Sequence, residues 1–98
     1  MDSVVATGEW LYDGSIPTLV RVVRLDYDFW YALGEADGDL EEGERPALNG
    51  DGFVFYVRLR PGWSPGRPFW PDSRGFATME EAKAAAEAAV PAPIKWRR

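Results

Sequence analysis

The stretch at 78–90 predicts a helix with a sharp boundary at each end. Thr78 and Glu81 have the spacing of a capping box, in which the threonine oxygen accepts from the glutamate backbone and the glutamate side chain bonds back to the threonine amide. Pro91 stops the helix because proline has no N–H to continue it. Between these ends the apolar stripe is almost entirely alanine, which buries little surface on its own. The helix therefore needs a sheet with larger side chains, so the chain is expected to be α+β.

Three stretches rich in β-branched and aromatic residues predict the strands of this sheet. They lie at 4–12, 18–36 and 53–60. The second stretch is too long for one strand, so we divide it near Asp26 to Asp28 into two strands or a bent hairpin. The Asp-Gly pair at 13–14 predicts a turn, and the tail through Ile94 and Trp96 predicts a short further strand.

The predicted fold is a single α+β domain, which suits a chain of 98 residues. It has a curved antiparallel sheet of about four strands, a short fifth strand at the C-terminus, and one C-terminal helix at about 78–90 packed on one face. Phe53 and Phe55, with Trp30 or Tyr31, are expected to fill the space over the alanines.

Cysteine and histidine are both absent from the sequence. Their absence removes thiol nucleophiles, disulfides, imidazole bases and the usual ligands of zinc. We therefore expect a protein that is not an enzyme and that has no cofactor and no metal. The alternative is a catalytic pair of carboxylates, Asp26 and Asp28, on one face of a strand. These aspartates would otherwise bond local amides at a strand end or turn.

A loop is predicted at 35–52, and it begins with six carboxylates in the ten positions 35–44, which we term the acidic segment. Clustered carboxylates can mimic nucleic acid phosphates and bind a basic protein surface. They also resemble the start of a calcium loop, although Gly43 falls one place late and Leu48 stands where the closing glutamate belongs. The third interpretation is a solvated loop that keeps the protein soluble.

The segment WSPGRPFWPDSRGF, residues 63–76, is crowded with aromatic residues, prolines and arginines, and we term it the aromatic segment. Trp63, Arg67, Phe69 and Trp70 are of the types enriched in interface hot spots. Prolines stiffen such a loop and lower the cost of ordering it on binding. The segment is predicted either to bind a protein or to fold back over the edge of a small core.

Charge is distributed unevenly, with 12 acids and 3 bases in residues 1–51 and 4 acids and 8 bases in residues 52–98. The net charge of −5 repels phosphates, so a nucleic acid partner is not expected. The alternative function is a small domain that binds single-stranded nucleic acid through the basic and aromatic C-terminal half. Its contact residues would be Tyr56, Arg58, Arg60 and Trp63.

The stretch MDSVVATGEW lacks the basic and apolar regions of a secretion signal, and no apolar run is long enough to cross a membrane. The predicted location is the cytoplasm, without a membrane partner. Exposed aromatic residues would also allow two copies to form a homodimer.

The segment GFATMEEAKAAAEAAV, residues 75–90, resembles the end of many small bacterial and phage proteins, in which a strand closing in Gly-aromatic precedes a capped, alanine-rich helix. This resemblance implies the fold and carries over no functional residue. In general character, a small acidic protein with two elaborate loops is similar to phage-encoded inhibitors, including anti-CRISPR proteins and other DNA mimics. That resemblance implies a stoichiometric inhibitor that occupies a surface of a nucleic-acid-handling protein.

The sequence thus predicts a cytoplasmic, non-enzymatic module that binds a protein partner with a basic surface. The predicted contact residues are Glu35, Asp37, Asp39, Glu41, Glu42, Glu44, Trp63, Arg67, Phe69 and Trp70.

Overall fold

A long β-hairpin forms the middle of the sheet. The structure is a computed structural model that describes residues 3–59 and 67–97. Strands β1 (Ser3–Tyr12) and β2 (Ile16–Leu25) are antiparallel neighbours. The turn between them holds Asp13 at φ 53° and Gly14 at φ 73°, in the left-handed region that glycine and aspartate tolerate best. The predicted first strand and the turn after it are confirmed.

Two shorter strands complete an open four-stranded sheet with the order β3-β2-β1-β4. Strand β3 (Val54–Arg58) pairs antiparallel with the half of β2 that is remote from the turn. Strand β4 (Lys95–Trp96) pairs antiparallel with Gly8 and Glu9 of β1. The predicted α+β class, its antiparallel sheet and its short C-terminal strand are confirmed.

The second half of the stretch at 18–36 is a helix, not the predicted strand. Helix α1 (Phe29–Asp37) begins at Asp28, whose side chain accepts a hydrogen bond from the backbone N–H of Tyr31 at 3.2 Å. The helix ends at Gly38, which has φ 72°. The alternating aromatic residues favoured a strand, but an N-cap carboxylate at one end and a left-handed glycine at the other fix the backbone as a helix.

The predicted C-terminal helix is confirmed and lies across one face of the sheet. Helix α2 (Met79–Ala89) begins at Thr78, whose Oγ1 accepts a hydrogen bond from Glu81 N at 3.1 Å, which is one of the two predicted bonds of the capping box. In the return bond, Glu81 Oε1 accepts from the Thr78 hydroxyl at 3.2 Å, where the prediction had the Thr78 amide as the donor. Ala82 and Ala86 of α2 are fully buried and pack against β2 and β3. Their small side chains let the helix approach the sheet closely.

The side chains that face these alanines differ in part from those expected. The buried layer around the alanines contains Ala6, Val20, Val22, Val57 and Phe76. Phe55 packs against this layer as predicted, whereas Phe53 lies under the guanidinium of Arg24, 4.4 Å from it. Trp30 and Tyr31 belong to α1 and are not part of the layer. Valines therefore supply most of the bulk that aromatic residues were expected to supply.

The opposite face of the sheet is covered as well. A second buried cluster contains Val23, Leu25, Val54 and Tyr56. Phe29, the first residue of α1, and Phe69 pack against it. A cover was expected on one face only, and the second cover comes from the unpredicted helix and from Phe69 of the aromatic segment.

Candidate protein-binding surface

Four aromatic side chains form a patch over the second buried cluster. They are Phe29, Trp30, Phe69 and Trp70, and we term them the aromatic patch. The ring centroid of Phe29 lies 5.3 Å from that of Trp70 and 6.3 Å from that of Phe69, in edge-to-face geometry. The rings of Trp30 and Trp70 meet in the same way at 5.9 Å. Such pairs contribute about 0.5–1.5 kcal/mol each beyond the area they bury, so the patch is held together by its own contacts.

The patch is part core and part surface. Phe69 is half-buried on the second cluster, whereas Trp70 is 49% exposed and Trp30 is 38% exposed. The indole Nε1 of Trp30 donates a hydrogen bond to Ser73 O at 2.9 Å, which fixes the position of the ring. Of the two roles predicted for the aromatic segment, Phe69 takes the core role and Trp70 lies at the surface. Trp63 falls outside the described residues.

The beginning of α1 is tied down at several atoms. One oxygen of Asp28 accepts from Tyr31 N and the other accepts from Ala47 N at 2.8 Å. The hydroxyl of Tyr56 accepts from Phe29 N at 2.7 Å. The aromatic patch therefore rests on a fixed helix end, which lowers the entropy lost when a partner orders it.

The chain from Trp70 to Ser73 lies along the outer edge of β3. Asp72 N donates to Val57 O at 2.8 Å, and Val57 N donates to the hydroxyl of Ser73 at 2.9 Å. The guanidinium of Arg58 donates to Trp70 O at 2.7 Å and lies 3.7 Å from the carboxylate of Asp72. The backbone of Trp70 is thus anchored to the sheet, although much of its ring is exposed.

The acidic segment begins on α1 and turns sharply at the end of the helix. Gly38 N donates to Glu35 O at 3.3 Å and Asp39 N donates to Gly34 O at 2.8 Å, which are the two bonds of a Schellman motif. Leu40 lies against Gly34, where a Cβ atom would come within 2.9 Å of the leucine side chain. The helix end and the segment are therefore one ordered unit.

All six carboxylates of the acidic segment are exposed. They belong to Glu35, Asp37, Asp39, Glu41, Glu42 and Glu44. Across residues 3–59 and 67–97, none of the six forms an ion pair, although Glu44 Oε2 accepts a hydrogen bond from Glu41 N at 3.0 Å. Their charges are therefore not neutralised within the described chain, and they create a negative potential that attracts basic groups.

Helix α1 connects the acidic segment to the aromatic patch. Trp30 stands at the beginning of the helix and Glu35 near its end, about 7.5 Å away along the axis at 1.5 Å per residue. The chain after the acidic segment then returns to the beginning of the helix, where Ala47 bonds to Asp28. The acidic segment and the aromatic patch thus share one short helix as their support. Arg67 is exposed two residues before Phe69.

The alternative of a catalytic pair of carboxylates on one strand face does not fit the fold. Strand β2 ends at Leu25, so Asp26 and Asp28 do not share a strand face. Asp28 accepts a hydrogen bond from the local amide of Tyr31, as the other interpretation had it, and a second from Ala47 N, 19 residues along the chain. Asp26 is exposed.

The alternative prediction was a strand face that binds single-stranded nucleic acid. It is wrong for the two of its residues that the structure describes. Tyr56 is fully buried and cannot stack on a base. Arg58 directs its guanidinium to Trp70 O and Asp72 instead of to solvent. Arg60 and Trp63 lie outside the described residues.

Phe29 and Trp30 form half of the aromatic patch, and neither of them was predicted from the sequence as a contact residue. The available signal was Asp28 followed ten residues later by Gly38, a pairing typical of a helix with an N-cap and a left-handed C-terminal glycine. The aromatic alternation outweighed this signal because it also fits a strand.

Within the described ranges, no group of three or more acidic residues is arranged to hold a metal ion, and the helices there are too short or too polar to cross a membrane. Comparisons of the chain with protein-family models, curated proteins and solved structures gave no match.

Proposed function

We propose that this protein is a non-enzymatic, cytoplasmic module that binds a basic surface of a nucleic-acid-handling protein. The partner is held by the acidic segment and the aromatic patch together. In this role the protein acts stoichiometrically, as phage-encoded inhibitors of the anti-CRISPR or DNA-mimic type do.

One observation carries the proposal: six exposed carboxylates, which form no ion pair within residues 3–59 and 67–97, follow from α1, and the exposed rings of Trp30 and Trp70 meet at the beginning of the same helix. Carboxylates attract and orient a basic partner over a distance, and they increase the association rate more than the final affinity. Exposed tryptophans on a fixed backbone supply the apolar anchors that slow dissociation. Interfaces of standard size cover about 800 Å² on each partner, which is enough to include both regions.

The test compares proteins captured from a nuclease-treated bacterial lysate by the immobilised parent chain and by two variants. One variant is Glu41→Lys with Glu42→Lys, and the other is Trp70→Ala. The expected result is a partner that the parent retains, that double-stranded DNA elutes, and that both variants lose. The purified partner should then associate more slowly with the charge variant and dissociate faster from Trp70→Ala.

The matched control reverses two acids outside the acidic segment, Asp51→Lys with Glu80→Lys, and so changes the net charge equally. It should retain the partner nearly as well as the parent. If the control loses the partner to the same extent as the acidic-segment variant, the effect belongs to net charge and the proposed surface is wrong. If DNA elutes nothing that the parent retains, the proposed DNA mimicry is wrong.

A further inference from the structure

A small pocket lies at the beginning of α1, beside the aromatic patch. Its volume is about 290 Å³. The lining includes the exposed side chains of Trp30 and Leu48 and the buried side chains of Val54 and Phe76. Sites for separate small molecules usually measure about 300–1,000 Å³. The pocket is just below this range, so its size suits a single side chain of a partner.

Hydrogen bonds join the chain segments that enclose the pocket. Ala47 N donates to Asp28 Oδ2 at 2.8 Å, which ties the chain at 47 to the beginning of α1. The side-chain amide of Asn49 donates to Ala77 O at 2.9 Å, and its Oδ1 accepts from Phe53 N at 2.9 Å. The walls are therefore in place before a ligand arrives, which lowers the entropy lost on binding.

Asp28 gives the lining a negative charge. It is partly buried and forms no ion pair within the described part of the chain. Its Oδ1 accepts from Tyr31 N and from the Tyr56 hydroxyl, and its Oδ2 accepts from Ala47 N. An ionised carboxylate offers about four acceptor positions, so one remains on Oδ2. The helix end carries only about half a positive charge, so the full charge of Asp28 exceeds it.

The combination of one carboxylate with apolar walls selects a basic side chain. Lysine and arginine have an apolar stem and a charged end, so they match both parts of the lining. An apolar side chain in the pocket would remove water from Asp28 and leave its charge unpaired, which is unfavourable. An acidic side chain would be repelled.

The pocket also lies between the two surfaces that are proposed to hold the partner. Trp30 lines it and belongs to the aromatic patch. The acidic segment ends at Glu44, and Ala47 of the lining follows directly after Arg45 and Pro46. A basic partner that covers both surfaces therefore covers the pocket as well.

From these features we propose that the pocket receives one basic side chain of the partner protein. The stem of this side chain lies against Trp30 and Leu48, and its charged end donates a hydrogen bond to Asp28 Oδ2. The inference rests on the proposed function for its partner, a basic protein surface. It adds an anchor of defined chemistry to the acidic segment and the aromatic patch.

The test titrates the capped peptide Gly-Arg-Gly into the ¹⁵N-labelled protein, with matched peptides that carry citrulline or norleucine in place of arginine. Citrulline has the shape of arginine without its charge, and norleucine has only the apolar stem. The arginine peptide should shift the indole resonance of Trp30 and the amide resonances of Ala47 and Leu48. The other two peptides should bind about two- to fivefold more weakly, because neither carries a charge to pair with Asp28.

Protein variants locate the binding. Ala77→Leu enlarges an exposed residue of the lining and should weaken the arginine peptide about fivefold or more. Ala88→Leu makes the same change at an exposed position of α2 outside the lining and should bind as the parent does. Asp28→Asn keeps a good N-cap residue and should bind the arginine peptide no better than the parent binds the citrulline peptide.

Several results would overturn the proposal. One is the absence of shifts at Trp30 and Ala47 at millimolar arginine peptide. Equal binding of the norleucine peptide would assign the pocket to an apolar side chain, and shifts confined to Glu41 and Glu42 would place the cation on the acidic segment. Shifts at the pocket that depend on protein concentration without peptide would assign it to a second copy of the chain.

The peptide experiment and the lysate experiment fail separately. Binding of the arginine peptide at Trp30 without a captured partner would support the pocket and count against the proposed function. A captured partner without peptide shifts would support the proposed function and refute the pocket.

Discussion

The hydroxyl of Tyr56 accepts a hydrogen bond from the backbone N–H of Phe29 at 2.7 Å, although the two residues are 27 positions apart. The same hydroxyl donates to Asp28 Oδ1 at 3.3 Å. Tyr56 is fully buried in β3, so its phenol joins the sheet to the first turn of α1. The position of the aromatic patch therefore depends on a side chain that is itself fully buried.

Tyr56→Phe should lower the free energy of unfolding by about 1–3 kcal/mol, because it leaves the Phe29 N–H without its acceptor in a partly buried place. Urea denaturation followed by tryptophan fluorescence measures this change. Tyr27→Phe is the matched control, because Tyr27 is exposed and should cost little. Equal unfolding midpoints for the two variants would contradict the bridging role of the phenol.

The same phenol should make stability depend on alkaline pH. Burial raises the pKa of Tyr56 above its ordinary value of 10.0, and the charge of Asp28 raises it further, while the Phe29 amide opposes the shift. Above pH 10 the unfolded chain loses the phenol proton and the folded chain keeps it. Stability from this group is therefore complete below pH 10 and falls as pH rises, by at most about 1.4 kcal/mol per pH unit.

Urea denaturation at several pH values between about 9 and 11.5 checks this dependence. The parent should lose stability more steeply with pH than Tyr56→Phe, which has no proton to lose at this position. Parallel curves would show that the alkaline loss comes from other groups.

Gly38→Ala should lower the free energy of unfolding by about 1 kcal/mol. Gly38 has φ 72°, where a Cβ atom meets the following carbonyl oxygen, and no other group crowds its Cα. Gly50→Ala is a control with equally open surroundings and no positive φ, and it should change stability less. Thermal denaturation followed by circular dichroism compares them, and a larger loss for the control would refute the assigned role of the left-handed turn.

Much of the fold could be predicted because local signals agreed with tertiary packing. The capping box at Thr78, the alanine stripe and the alternation around Val57 each specify one element and one face. Their agreement is what allows a sequence to specify a sheet with a helix across it.

Helix α1 could not be predicted from alternation, because it is only nine residues long and none of its residues is fully buried. Its stability comes from contacts that the sequence does not display, such as the bond between Tyr56 and Phe29.

Two adjacent residues of the aromatic patch should differ in how replacement by alanine changes stability and fluorescence quenching. Phe69→Ala should cost about 2–3 kcal/mol of stability, because Phe69 packs against the second buried cluster. Trp70→Ala should cost about 1 kcal/mol or less, because its ring is half exposed, but it should reduce quenching of tryptophan fluorescence by acrylamide. Urea denaturation and quenching of both variants measure the difference. The reverse order of stability losses would make Trp70 the core residue and remove it as an anchor, since an anchor must present its ring to a partner before binding.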